Sequence, residues 1–262
     1  MYSNKTRYSM KRTSLLFLMM LTASMAMAQK AFIFNTLQKN GFISISAGIS
    51  QPMGTFGKLT GEQSSGMAIR GQVMSVSGGY RMAGPLGLMA RYEQTANGID
   101  PTAMLGRYSQ LPGDQLTVAP ATGRAGQWQT RSIMLGPYVT IPVGRVSLDI
   151  HALAGQIWAT CPETCIQGKL NQQATIIRAD NQESKTISAG IGLTARYRLT
   201  PAIALHMNGD YSSSSFTFAD VPLESTVGAV AKQTTFTSSK TLSMATVSLG
   251  LTIQFRARNY VF

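Results

Sequence analysis

The chain has 262 residues, a formal net charge of +12, and only 13% charged residues beside 44% hydrophobic ones. A disordered chain would carry more charge and less apolar surface, and a helical bundle or coiled coil would need faces rich in Glu, Lys and Arg. Twenty-five glycines and ten prolines, with abundant Ser and Thr, point instead to strands and turns.

Residues 1–28 read as an export signal. Lys5, Arg7, Lys11 and Arg12 precede the apolar run Leu15 to Leu21, and Ala26-Met27-Ala28 is a small-x-small cleavage site. About a dozen apolar residues are too few to cross a ~30 Å hydrocarbon core, so the run is not an anchor. Cleavage after Ala28 removes four positive charges and leaves a mature charge of +8. Residues 29–40 are then a periplasmic N-terminal segment, and 41–262 form the barrel domain described below. Cys161 and Cys165 flank Pro162-Glu163-Thr164 with no His or further Cys nearby. A zinc site therefore lacks ligands, and a disulfide stapling the tip of an exported loop is expected.

From residue 41 onward apolar residues recur with period two, the strand period. The clearest case is Ala245, Val247, Leu249, Leu251, Ile253 and Phe255, alternating with Thr246, Ser248, Gly250, Thr252 and Gln254. Eight such segments begin near Gly41, Ile69, Leu88, Gln127, Val146, Thr186, Ala202 and Thr241. Short, turn-rich connections (Ala83 to Gly87, Pro142 to Arg145, Leu199 to Pro201) alternate with long polar ones. This predicts an all-β, eight-stranded antiparallel up-and-down transmembrane β-barrel with short periplasmic turns and long extracellular loops. The weaker alternative is a soluble exported barrel with its aliphatic faces turned inward around an apolar ligand.

Over residues 41 to 255 the chain resembles the small eight-stranded outer-membrane proteins, the OmpA-barrel and OmpX-like family. The segment Ser248 to Phe255 is similar to the polar-x-Gly-x-x-hydrophobic-x-aromatic signal read by the barrel-assembly machinery, through Gly250, Ile253 and Phe255. The chain itself ends in Phe262, a second aromatic that could serve. The resemblance implies location in the bacterial outer membrane amid lipid and lipopolysaccharide, with loops near 54–67, 97–126, 160–185 and 213–240 outside the cell.

Those four loops hold eight basic and eight acidic residues, so the whole mature charge lies in strands, turns and termini. A basic patch with interleaved aromatics is absent, which excludes a nucleic-acid partner. The interior of an eight-stranded barrel is just wide enough for side chains to fill it. Glu93, Asp149 and Asp210 are expected to pair there with Arg91, Arg131, Arg196 and Arg198, alongside His151 and His206, and to plug the lumen. The alternative is a narrow arginine-lined pore for small anionic solutes. His151 and His206 both lie low in the barrel without a His-x-Ser arrangement, so no catalytic residue, metal ligand or cofactor is assigned. Function then falls to the loops, whose apolar groups Tyr108, Leu111, Pro112, Val118 and Pro120, and Phe216, Phe218, Val221 and Pro222, could meet a surface protein or host ligand. Tyr80, Tyr92, Trp128, Trp158, Tyr197, Tyr211 and Phe255 are read as interfacial girdles. Tyr138 falls out of phase with them, among the lumenal residues.

Overall fold

The computed structural model describes residues 40–59, 65–100, 102–103, 117–118, 124–170, 173–228 and 230–256. The export signal, its cleavage site, the segment before Asn40, Phe262, and Tyr108, Leu111, Pro112 and Pro120 lie outside these residues.

The strands, in chain order, are β1 (Gly41–Met53), β2 (Ala68–Ala83), β3 (Leu86–Ile99), β4 (Thr117–Val118), β5 (Arg124–Ala125), β6 (Trp128–Val143), β7 (Val146–Cys161), β8 (Thr164–Leu170), β9 (Gln173–Ala179), β10 (Gln182–Arg198), β11 (Ile203–Val227) and β12 (Val230–Phe255). Eight of them close a ring in the order β1-β2-β3-β6-β7-β10-β11-β12, each antiparallel to its neighbours, with β12 returning to β1 from Gly41↔Phe255 to Met53↔Ser243. Most begin within two residues of the expected starts. The exceptions are β10, from Gln182, and β12, from Val230.

The tight ends follow from turn chemistry. Gly84 and Gly144 take φ of +55° and +62° in the β2–β3 and β6–β7 hairpins, a backbone region open to glycine at little steric cost. At the third short turn the Thr200 hydroxyl accepts hydrogen bonds from the Ala202 and Ile203 amides at 3.2 and 3.0 Å.

The long connections correct the sequence reading. The segment 213–240, expected as a loop, continues the β11–β12 hairpin without a break in pairing as far as Val227↔Val230, interrupted only by a bulge between Phe218 and Val221. Asp220 in that bulge has φ of +53°, and a bulge bends and twists its strand. Beyond it, β11 pairs with β9, β9 with β8, and β8 with β4 and β5. An extension of the same sheet thus stands on the barrel at its long-loop end. Twenty-five residues of β11 amount to about 80 Å of strand, while a tilted membrane strand uses only about 9–11 residues.

Within the ring the outward face is aliphatic, while the middle of the inward face carries hydroxyls and amides. Ile43, Ile45, Val76, Ile133, Leu135, Ile150, Ile191, Leu205, Leu249 and Ile253 all point outward and are exposed, Ile187 most of all at 79%. Ser44, Ser46, Ser75, Ser77, Thr95, Thr130, Ser132, Thr194, Asn208, Thr246 and Thr252 point inward and are buried.

Candidate functional site

The lumen is filled in three tiers. At the short-turn end Phe42, Met89, Met134, Tyr138 and Leu153 form an apolar cluster. Phe42 and Tyr138 meet edge to face at 5.7 Å, and the Arg196 guanidinium lies 3.8 Å over the Phe42 ring. Arg196 also pairs with Asp149, whose other oxygen accepts from Thr140 at 2.6 Å. The Tyr138 ring occupies the space above Gly87, where an added Cβ would lie 2.4 Å from it, so Gly87 makes room for this aromatic.

The middle tier is polar. The Asp210 Oδ1 atom receives both Arg91 Nη1 at 2.7 Å and His151 Nε2 at 2.6 Å, and Arg91 Nε donates to Ser77 Oγ at 3.2 Å. This cluster stands against Gly192, where a Cβ would come within 2.0 Å of Asp210 Oδ1 and 2.4 Å of His151 Nε2. Around it Ser46 bonds Ser75 at 2.8 Å, Thr194 donates to Asn208 Oδ1 at 2.8 Å, and Thr95 bonds Thr130 at 2.7 Å. Hydroxyls and amides of this kind meet their hydrogen-bonding needs without any desolvated charge.

The long-loop end is capped by Phe56, Met67, Ile99, Trp128, Ile157, Ile166, Phe216, Phe218, Val221, Leu242 and Met244. Trp128 packs against Phe56 at 5.6 Å and Phe218 at 5.9 Å, and its indole N–H donates to the Gly66 carbonyl at 3.0 Å. Lys240, buried at the edge of the cap, donates to the Ser65 carbonyl at 2.7 Å.

The expected charge network is therefore partly assembled. Arg91, Asp149, His151, Arg196 and Asp210 make the contacts described, and Glu93 is buried two residues along β3 from Arg91. His206 is buried but separate, its Nδ1 bonded to Thr252 at 2.9 Å over Gly250. Two residues do not belong. Arg131 shares its parity with Ile133 and Leu135 and points outward, exposed. Arg198 keeps the inward parity but ends β10, past the last tier, where it is exposed.

Three further corrections concern Trp128, the cysteines and loop 4. Trp128 is in the cap, not in an interfacial girdle, whereas Tyr80, Tyr92, Tyr197, Tyr211 and Phe255 do face outward. Phe216, Phe218 and Val221 are buried in the cap and offer no binding surface. Cys161 and Cys165 are both free. Cys161 ends β7 on its inward face and packs on the cap; Ile166 enters the same cap, so Cys165, its neighbour in β8, turns the opposite way. Burial pushes the Cys161 thiol up to about 11, against the opposing effect of the nearby Lys240 ammonium. Among the described residues no His, Cys, Asp and Glu group is placed to hold a metal.

A closed ring whose outer belt is aliphatic and whose interior is hydrogen-bonded is inside out for water, and no soluble surface exposes so continuous an apolar band. The chain is a transmembrane barrel of the outer-membrane type. The soluble alternative fails on the same observation, since the aliphatic face is outside. No family model matches the sequence, and no curated protein does. Among solved structures it is similar to a major outer membrane protein from Thermus thermophilus, with 15% identity over 82% of this chain and 99% of that one and a TM-score of 0.45. It is also similar to Neisserial surface protein A (13%, 82% and 97%, 0.42). A third is Ail of Yersinia pestis, solved in complex with the heparin analogue sucrose octasulfate (13%, 82% and 99%, 0.41). The lipid-facing belt, not these likenesses, decides the environment.

Outside the membrane, Arg178 of β9 reaches Glu163 at 2.7 Å and Asp180 at 3.5 Å, and the Glu163 hydrogen bond holds its guanidinium above the ordinary range. An open cleft of about 400 Å³ lies on the same sheet between Asp180, Pro222, Leu223, Glu224, Gln233, Thr234 and Thr235. This surface escapes sequence reasoning because its residues fall in segments that carry no clear two-residue period.

Proposed function

We propose that this protein is a structural and surface-interaction element of the outer membrane: a closed barrel that holds a stiff sheet outside the cell. The observation that carries the reading is the hairpin of β11 and β12, which runs from the lumen into that sheet with a single bulge between Phe218 and Val221. Two apolar tiers with a paired polar tier between them support a plugged lumen. The arginine-lined pore loses support, since Arg131 and Arg198 are not lumenal and Arg91 and Arg196 are neutralised. The His151–Asp210 pair is enclosed between the tiers and shared with Arg91, which favours a packing role over acid–base chemistry. Ile253 and Phe255 on the lipid face are where the barrel-assembly machinery would read its signal.

The upper part of β12 suits a partner. Among the described residues, Val230 to Phe236 pair only with β11 and leave their other edge open, with Lys232 as the one charge. Such an edge can accept an added strand. A photo-cross-linking residue at Thr235 in living cells should capture a protein adduct, while one at Leu249 on the lipid belt should not. The reading fails if Thr235 yields no adduct under any growth condition.

A further inference from the structure

The outward face of β6, β7 and β10 changes character within three rows. One row is Ile133, Gln156 and Ile187; the next, toward the long-loop end, is Arg131, Trp158 and Lys185; the one beyond is Gln129, Thr160 and Glu183. Arg131 and Lys185 both stand directly opposite Trp158 in register, one on each side. Adjacent strands are about 4.8 Å apart, so the two cations start about 10 Å apart across one indole, within reach of a single anion. Both are exposed. Neither makes an ion pair or side-chain hydrogen bond among the described residues, whereas Arg70, the outward arginine of β2, donates to Gln51 at 3.3 Å. A half-buried Trp at the edge of an aliphatic belt marks the lipid–water interface. The β6–β7 turn at Gly144 lies at the other end of these strands, so the row is at the level of the outer leaflet.

We propose that Arg131 and Lys185, spanning Trp158, bind the phosphate of an outer-leaflet glycolipid, whose acyl chains then lie over Ile133 and Ile187. Glu183, one row further out on the same face, disfavours a second anion above Lys185 and keeps the phosphate on the membrane side. The inference rests on the membrane-barrel reading. Trp158 supplies the flat, amphipathic floor that an exposed pair of cations alone would lack.

The test is native mass spectrometry of the full mature chain, refolded in zwitterionic detergent, with lipid A carrying two phosphates, with dephosphorylated lipid A, and with inorganic phosphate. Each cation near an anionic surface contributes about fivefold, so Arg131→Gln and Lys185→Gln should each weaken the phosphorylated lipid about fivefold and the pair more than tenfold. Arg131→Lys should restore most of the loss, and Arg145→Gln, at the opposite end, should change nothing. The proposal is overturned if the double variant binds like the unmodified chain, if dephosphorylation has no effect, or if inorganic phosphate binds these residues as well as the lipid does. Heat-dependent gel mobility, measured on every variant, separates this from the underlying reading. An unmodified chain that shows no mobility shift would refute the membrane barrel itself, and a variant that loses the shift is replaced by its Met counterpart.

Discussion

Between Ile203 and Tyr211 strand β11 alternates lipid-facing residues with buried ones; from there its outward face carries Ser213, Ser215 and Thr217, and Val221 to Val227 continue into the upper sheet with polar and apolar residues mixed. Hydrogen-bond pairing to β12 is the same in the two halves. What changes past Tyr211, ahead of the Asp220 bulge, is the solvent. Lipid demands an aliphatic face and a satisfied backbone, whereas water demands only the second, so the ladder persists while the two-residue period fades. The two halves therefore differ in what a substitution costs.

The largest difference should come from charge removal. Asp210→Ala strips the carboxylate from Arg91, which is 3% exposed in the lumen, and leaving a buried charge without its partner costs about 3–5 kcal/mol. Asp180→Ala removes an exposed partner of Arg178 and should stay within about 0.5 kcal/mol. Urea titrations of both variants in vesicles, read by gel mobility, would erase the comparison if the two costs were equal.

A charge on the belt comes next. Leu249→Lys should cost about 2–4 kcal/mol near the bilayer midplane, and Thr235→Lys on the upper sheet about 0.5 kcal/mol or less. Folding yield into thin and thick bilayers would sharpen the contrast, because mismatch bears on the first and not the second.

Gly192→Ala is a smaller lumenal change. Its Cβ would meet Asp210 and His151 at 2.0 and 2.4 Å, so the pair must shift, at about 1–3 kcal/mol. An unchanged midpoint in the same titration would mean that the middle tier is looser than these contacts describe.

The smallest effect is chemical. With its thiol pushed up to about 11 by burial against the cap, Cys161 is neutral throughout the physiological range and gains thiolate only as pH approaches that value. On a Cys165→Ser background, maleimide at pH 8 should spare Cys161 in the folded barrel and label it after unfolding; rapid labelling of that folded variant would place the cap open.

Much of this architecture was legible in the chain, because lipid enforces the period: seven of the eight ring strands start within about four residues of where alternation began, and Tyr138 was correctly placed inside. Arg131 and Trp128 were misplaced although their parity carried the answer, since Arg131 counts with Ile133 and Leu135, and Trp128 with Thr130 and Ser132. Arg198 shows the opposite limit: its parity is right, but parity does not say where a strand leaves the lumen. The cap brings Phe56, Trp128, Ile166 and Phe218 together from widely separated segments, and no local pattern reports such a meeting. The upper half of β12 is hidden from sequence reasoning because Val230 to Thr237 are exposed on both sides and lose the alternation by which strands are recognised.

The central claim is that the lumen is shut at both ends by Phe42 with Tyr138 and by Trp128 with Phe218. Planar-bilayer recording of the refolded mature chain tests it directly. The tiers predict a flat trace in the unmodified protein and in the Trp128→Ala, Phe218→Ala variant, whose inner tier is intact, with brief openings only when Phe42→Ala and Tyr138→Ala are added to it. A stable, stepwise conductance from the unmodified chain would contradict the account and return the lumen to the pore reading.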